Sequence, residues 1–212
     1  MMTAKWLGYV VSGGLAVFAT TLARADDSGS YADFDLGRAT YSVAADAHLP
    51  AVTFSAVDSH IKDTSWGVTF GYRFTPHFGT EVGYVSLGKE SFPAVDVGGD
   101  AGAHGTVSFS SGGPTLALVG AFQIGYLEMF VKAGYLFARA QLSVVGTDGA
   151  TKLNTKMTAS TPVPLGGVGL RYEFSERWHV KVEFDHYDGV GDAESTGVAS
   201  VNVATLGVGF LF

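Results

Sequence analysis

Two carboxylates near the C-terminal end of the chain, Glu183 and Asp185, have a spacing that suits acid–base chemistry. On a strand, residues two positions apart point to the same side and lie roughly 6.6 Å from each other, and paired carboxylates can act as general acid and base. If the neighbouring segments are also strands, the alternation of side chains places Arg171 and Lys181 on the same side as this pair. A neutralised structural pair is therefore the favoured interpretation, because buried charges need partners.

The sequence offers no nucleophile motif to accompany this pair. Small membrane barrels that hydrolyse lipid A use a His-x-Ser pair, in which a base activates a nucleophile. The chain has no His-x-Ser, and His104-Gly-Thr106 is its nearest match. His48 and His60 share a segment with aspartates but fit no defined ligand set, and there are no cysteines. We predict no catalytic, cofactor or metal site, and hence a protein that is not an enzyme.

The composition separates the chain from soluble domains and from nucleic-acid binders. Charged residues make up 16% of the sequence, against roughly 25% in typical soluble domains. The formal net charge is −7, and lysine and arginine form no cluster. An acidic chain without a basic patch is a poor partner for nucleic acid.

The first 25 residues have the pattern of an export signal. Lys5 precedes an apolar run at 6–21, and Ala23-Arg24-Ala25 is a small-x-small cleavage site. This pattern predicts a signal peptide at 1–25 that is cleaved, leaving a single domain at 26–212. An uncleaved membrane anchor is the alternative, but the acidic Asp26-Asp27 that follows disfavours it.

The rest of the chain has a hydrophobic period of two. In Trp66-Gly-Val-Thr-Phe-Gly-Tyr-Arg-Phe74, large apolar residues alternate with Gly, Thr and Arg, which is typical of a strand. The predicted strands are roughly 10–14 residues long, near the length that crosses a bilayer at a tilt. They lie at about 31–41, 64–75, 78–89, 114–124, 126–139, 162–174, 178–187 and 200–212.

The connections alternate in length. Those at 75–77, 123–125 and 175–177 are short, and those at 42–63, 90–113, 140–161 and 188–199 are long and polar. This alternation predicts an all-β fold, a closed antiparallel up-and-down eight-stranded transmembrane β-barrel in the outer membrane of a Gram-negative bacterium. The even strand number places both termini in the periplasm. A helical membrane protein spanning 116–138 and a soluble lipocalin-like barrel are the alternatives.

Several segments along the chain resemble the OmpA-like transmembrane domain family of outer-membrane barrels. They are Gly37-Arg38, Glu81-Val-Gly-Tyr84, Lys132-Ala-Gly-Tyr135, Gly167-Val-Gly-Leu-Arg-Tyr172 and the last hairpin at 183–197 and 205–212. Phe210 replaces the usual Tyr of the closing strand, and the terminal Phe212 is kept. The resemblance implies that Phe210 and Phe212 are the signal read by the outer-membrane insertion machinery during assembly. Since the sequence stops at Phe212, we expect no periplasmic peptidoglycan-binding domain.

Parity predicts which charged residues lie inside the barrel and which lie outside. An eight-stranded barrel is barely wide enough for its own side chains, so interior charges should pair; a narrow, gated ion path is the alternative. Arg38 and Arg139 fall on the outer face, where they either reach water or contact lipopolysaccharide phosphates. The interior set includes Asp33, Asp35 and Asp185 and a predicted charge network of Arg73, Glu81, Glu128, Lys132, Arg171, Glu173, Lys181 and Glu183.

These observations predict an integral outer-membrane β-barrel that contributes to envelope structure and to surface interactions through its extracellular loops. A small low-conductance porin-like channel is the second hypothesis, and a lipid A-modifying enzyme is the third. The expected partners are outer-membrane lipid, lipopolysaccharide and the insertion machinery, with no nucleic acid and no cofactor. The loops contain no motif that identifies an external ligand.

Overall fold

The computed structural model describes residues 29–43, 52–53, 60–97, 104–148, 151–192 and 197–212. The predicted signal peptide at 1–25 lies outside the described residues. No helix in this described part is long and apolar enough to span a membrane. The strands are β1 (Gly29–Val43), β2 (Val52–Thr53), β3 (His60–Arg73), β4 (Phe78–Val97), β5 (His104–Ile124), β6 (Leu127–Asp148), β7 (Thr151–Glu173), β8 (Trp178–Asp192) and β9 (Gly197–Leu211).

Eight of these strands close into an antiparallel ring, which confirms the predicted barrel. Each long strand pairs with its neighbours in sequence, β1 also pairs with β9, and β1 pairs with β3 because β2 is not part of the wall. The two-residue β2 pairs with the far end of β4 at Val95 and Val97. A closed ring leaves no strand edge in the wall, so the backbone can satisfy its own hydrogen bonds in lipid.

The two ends of the barrel differ, and we name them by their connections. At the turn end, Phe74 and Phe174 donate backbone hydrogen bonds to the carbonyls of Phe78 and Trp178, at 3.1 and 3.2 Å. The third turn uses Gly125, whose φ of +62° is a left-handed conformation that glycine adopts without strain. At the opposite, hairpin end, β4–β5 and β6–β7 extend furthest.

The predicted long loops at 90–113 and 140–161 are wrong in most of their length. The pairing of β6 with β7 continues in unbroken register from Leu127↔Tyr172 to Asp148↔Thr151, and β4 pairs with β5 as far as Val95↔His104. The prediction ended these strands where the apolar alternation weakens. Strand pairing depends on backbone hydrogen bonds, however, and these continue through Ser-, Thr- and Gly-rich sequence.

Two β-bulges interrupt the alternation of inward and outward residues near the hairpin end. One lies between Ser86 and Lys89 in β4, and the other lies between Tyr187 and Val190 in β8. Each contains a glycine with positive φ, Gly88 at +96° and Gly189 at +82°. Because a bulge inserts one extra residue, the inward parity of each strand inverts beyond it.

The two faces of the wall have the chemistry that the period of two predicts. Many large apolar side chains on the outer face are exposed, among them Phe70 at 50% and Leu118 at 68%. Most inward-facing side chains are almost completely buried. The apolar outer face is the surface that lipid would cover, and the interior holds the polar groups from which a site could be built.

Candidate functional site

The barrel interior consists of two layers. The layer towards the turn end is charged, and we call it the ion cluster. The layer towards the hairpin end is apolar, and we call it the plug. The cluster comprises Asp33, Asp35, Arg73, Glu81, Glu128, Lys132, Arg171, His179, Lys181, Glu183 and Asp185, together with the ring of Tyr31.

Arg171 is the centre of one half of the ion cluster, and its side chain is 1% exposed. Its guanidinium donates to Glu128 Oε1 at 2.5 Å and lies 3.5 Å from Asp33 Oδ2 and 3.9 Å from Glu81 Oε1. The same group stacks over the Tyr31 ring, 4.4 Å from its centroid. The Tyr31 hydroxyl donates to Glu81 Oε1 at 2.7 Å. One cation thus contacts carboxylates from three different strands.

Lys181 is the centre of the other half. Its ammonium lies 2.9 Å from Asp33 Oδ2, 3.2 Å from Asp35 Oδ2 and 2.9 Å from Glu183 Oε2. His179 Nε2 lies 2.7 Å from the other Asp33 oxygen, Oδ1. Asp33 links this half to Arg171, because its Oδ2 contacts both Lys181 and Arg171.

All but one of the predicted network residues form ion pairs with one another. Lys132 pairs with Glu183 and lies 3.1 Å from Asp185 Oδ2, and Arg73 lies 2.5 Å from Glu128 Oε2. Glu173 is only half buried, and it forms no ion pair with any described residue. It sits beside the turn after β7, where solvent can replace a partner.

Two members of the cluster were missed by the sequence analysis. His179 was not assigned to the interior, yet it is 0% exposed. Tyr31 was not assigned to the interior, although its side chain is 2% exposed. Parity could have identified both, since His179 shares the face of Lys181 and Tyr31 shares that of Asp33.

The predicted carboxylate pair has its cationic partners within the ion cluster. Glu183 and Asp185 are both 6% exposed, and the ammonium of Lys132 contacts both. The Tyr187 hydroxyl also donates to Asp185 Oδ2, at 3.3 Å. Both Glu183 oxygens and Asp185 Oδ2 thus contact an ammonium group, whereas Asp185 Oδ1 has no hydrogen-bond partner among the described residues. Within the described ranges, no group of three His, Cys, Asp or Glu residues is placed to hold a metal ion.

The plug fills the interior beyond the ion cluster. Its central side chains are 0% exposed: Leu87, Leu136, Val163, Val190 and Val201. The Tyr41 hydroxyl donates to the Leu87 carbonyl at 2.7 Å and so ties β1 to the β4 bulge. The sequence analysis did not predict this layer, because apolar residues occur on both faces of the strands there.

The two predicted lipid-facing arginines lie on the outer wall near the hairpin end, and both are exposed. Arg38 is flanked across β1 by Thr64 and Ala204, and Arg139 is paired with Ser160. β1 and β6 are separated by β9, β8 and β7 in the ring. The two arginines are therefore on opposite sides of the barrel and cannot share one ligand headgroup.

The two C-terminal aromatic residues lie at the turn end. The ring of Phe210 packs edge-on between Trp178 and Phe212, with centroid distances of 5.1 and 5.2 Å. Phe212 is 62% exposed, and its backbone N–H donates to the Ser30 carbonyl at 2.9 Å. The last residue is thus held in the ring while its side chain stays accessible.

Comparison with known proteins identifies the family. The model of the OmpA-like transmembrane domain matches residues 25–212. Outer membrane protein A of Yersinia pseudotuberculosis and that of Serratia marcescens are each 24% identical over 156 residues, which cover 73% of this chain and 41% of theirs. The chain therefore spans about two fifths of the length of these curated relatives.

Solved structures with a similar fold include the N-terminal β-barrel domain of Pseudomonas aeruginosa OprF, with 20% identity, a TM-score of 0.42 and coverage of 87% of this chain and 99% of that one. The outer membrane protein OprG of the same organism has 14% identity, a TM-score of 0.48 and coverage of 88% and 97%. Since the family match extends over most of the sequence, the chain belongs to the OmpA-like transmembrane domain family, and its barrel is an outer-membrane barrel.

Proposed function

We propose that this protein is a closed, non-conducting barrel that contributes to envelope structure and presents its hairpin end to the outside for surface interactions. Both termini would then lie in the periplasm. The observation that carries the proposal is the plug: a layer of fully buried Leu and Val side chains stands between the ion cluster and the hairpin end.

The plug matters because water and ions cross apolar layers poorly. An unpaired charge loses its hydration in such a layer, at a cost that only pairing or hydrogen bonding can offset. The cations of the ion cluster beneath it are also held in place, since Arg171, Lys181 and Lys132 each contact two or more carboxylates. Both features favour a structural barrel over the low-conductance channel.

The hairpin end supports a role in surface interactions. β7 pairs with β6 along its whole length from Thr151, whereas its pairing with β8 begins only at Leu165. The part of β7 before Leu165 is thus an edge in the described structure, and an open strand edge can accept a strand from another chain. Pro162 and Pro164, which lack an N–H, occur in this edge, as is typical of edge strands.

Single-channel recording in planar bilayers tests the proposal. The purified barrel should give no conductance above that of the protein-free bilayer. The double variant Leu136→Ser with Val201→Ser makes two plug residues small and polar. It should conduct, because water can then enter the layer. The matched double variant Leu118→Ser with Val182→Ser changes the outer face instead, and it should give no conductance. Regular openings of the unmodified barrel would instead establish the channel.

Cysteine labelling tests the proposed orientation, since the natural chain has no cysteine. Lys156→Cys in β7 should react with a membrane-impermeant maleimide on intact cells. Ser175→Cys at the turn end should react only after the outer membrane is opened. The reverse labelling pattern would show that the orientation is inverted.

The third hypothesis, a lipid A-modifying enzyme, needs a separate test. Mass spectrometry of lipid A from the same cells, with and without the protein, provides it.

A further inference from the structure

An open groove runs across the lipid-facing side of the barrel wall. It has a volume of 710 Å³ and extends from Leu170 in β7 across β8, β9 and β1 to Thr64 in β3. Ala204 in β9 is the small outward residue at its middle, and the larger Phe184 and Leu206 border it. A gap between large side chains on this face gives a flexible apolar chain a surface to pack against.

Arg38 lies at the edge of this groove, at the boundary between polar and apolar rows of the wall. Towards the turn end, its neighbours on the outer face are Leu36 and Leu206, which are 52% and 64% exposed. Towards the hairpin end, the paired residues Thr40 and Asn202 are polar, and the Asn202 side chain is hydrogen-bonded to His186 at 2.7 Å. The guanidinium thus stands where the headgroup of a lipid in the groove would lie.

The charge at this edge is available for a ligand. Across the described residues, no carboxylate forms an ion pair with Arg38. A guanidinium presents a planar set of donors that matches phosphate oxygens. Charge complementarity therefore favours an anionic, phosphate-bearing lipid with its acyl part in the groove.

The position of the groove favours a lipid of the leaflet that the hairpin end faces. With the hairpin end outside, this part of the wall faces the outer leaflet, whose phosphorylated, multiply acylated lipid is lipopolysaccharide.

We propose that the groove centred on Ala204, with Arg38 at its edge, is a binding site for one lipopolysaccharide molecule. The guanidinium of Arg38 binds a phosphate of its lipid A part, and the acyl chains pack against the groove. The leaflet assignment rests on the proposed orientation. Arg139 is on the opposite side of the barrel, outside this groove, and it therefore does not contribute to the site.

Equilibrium binding of purified lipopolysaccharide to the barrel in detergent micelles tests this inference, with heat-modifiable gel mobility as the check that each variant is folded. Arg38→Gln should raise the Kd about tenfold, the effect of losing one charge-assisted contact. Ala204→Leu should have a similar effect by filling the groove. The matched controls Arg139→Gln and Ala133→Leu, which change the outer face elsewhere, should alter the Kd less than about twofold.

Lipid variants complete the test. Dephosphorylated lipopolysaccharide should bind more weakly and should no longer distinguish Arg38→Gln from the natural sequence. Equal effects of Arg38→Gln and Arg139→Gln, or phosphatidylglycerol binding as tight as that of lipopolysaccharide, would overturn the site. Absence of saturable binding would also overturn it, but would leave the non-conducting barrel intact, because conductance is measured separately. If Arg38→Gln does not fold, Arg38→Lys and Ala204→Leu decide the outcome.

Discussion

The ion cluster and the plug occupy the same barrel and are built by the same strands, yet they hold it together in different ways. β4 contributes Glu81 to the cluster and Leu87 to the plug, and β8 contributes Lys181 and Val190. In the cluster, each charge is tolerated only because its partners are present. In the plug, each side chain contributes through its own volume and contacts. From this difference we expect substitutions in the ion cluster to depend on one another and substitutions in the plug to be closer to additive.

The largest effect is expected from removing the central cation of the ion cluster. Arg171→Met leaves carboxylates on three strands without their shared partner, and should lower the free energy of unfolding by about 3–5 kcal/mol. Denaturant unfolding in vesicles measures this loss. Lys156→Met, at an exposed position of β7, is the control and should change stability little. Equal losses for both variants would mean that the cluster is solvated and that the two layers do not differ as described.

A somewhat smaller loss is expected from truncating a plug side chain. Leu136→Ala should lower the free energy of unfolding by about 2–4 kcal/mol, the range for a buried leucine. Combined with Val201→Ala, which lies three strands away from Leu136 in the ring, the losses should be close to additive, whereas Arg171→Met combined with Glu128→Gln should cost less than the sum of its parts. Denaturant unfolding of the two double variants compares the layers directly. Additive losses in the cluster would contradict mutual dependence.

Removing one hydroxyl from each layer sharpens the comparison further. Tyr31→Phe deletes the hydrogen bond to Glu81 and should cost about 1–3 kcal/mol, because the acceptor is charged. Tyr41→Phe deletes the bond to the neutral Leu87 carbonyl and should cost about 0.5–1.5 kcal/mol. Thermal unfolding of both variants in the same detergent measures the difference. A larger loss for Tyr41→Phe would reverse the proposed ranking of the layers.

The smallest effect on stability is expected at the C-terminal residue, which lies outside both layers. We propose that Phe212, with Phe210, is the signal for the insertion machinery. Phe212→Ala should then slow assembly in cells while leaving refolding in detergent nearly unchanged, because the exposed ring adds little packing. Pulse–chase labelling that follows the appearance of the folded, heat-modifiable barrel measures the rate of assembly. Phe74→Ala, an exposed aromatic at the same end, is the control, and an equal delay would indicate a purely interfacial role.

The sequence by itself determined the strands and their faces. Alternation is a local property that follows from successive side chains pointing to opposite sides of a strand. For this reason the eight wall strands could be predicted, as could the outward placement of Phe70, Leu118 and Arg38 and the inward placement of Glu128 and Arg171. The strand ends were predicted less well, because at the hairpin end the backbone keeps pairing where the apolar signal stops.

Only the tertiary structure decided which interior groups meet. Closure of the ring brings β1 against β9 and so places Asp33 within 2.7 Å of His179, 146 positions away in the sequence. The glycine bulges at 88 and 189 invert the local parity and turn Val190 into the plug. Partner choice and bulge position depend on the register between strands and on the space inside the closed barrel. Alternation within a single strand contains neither of these quantities.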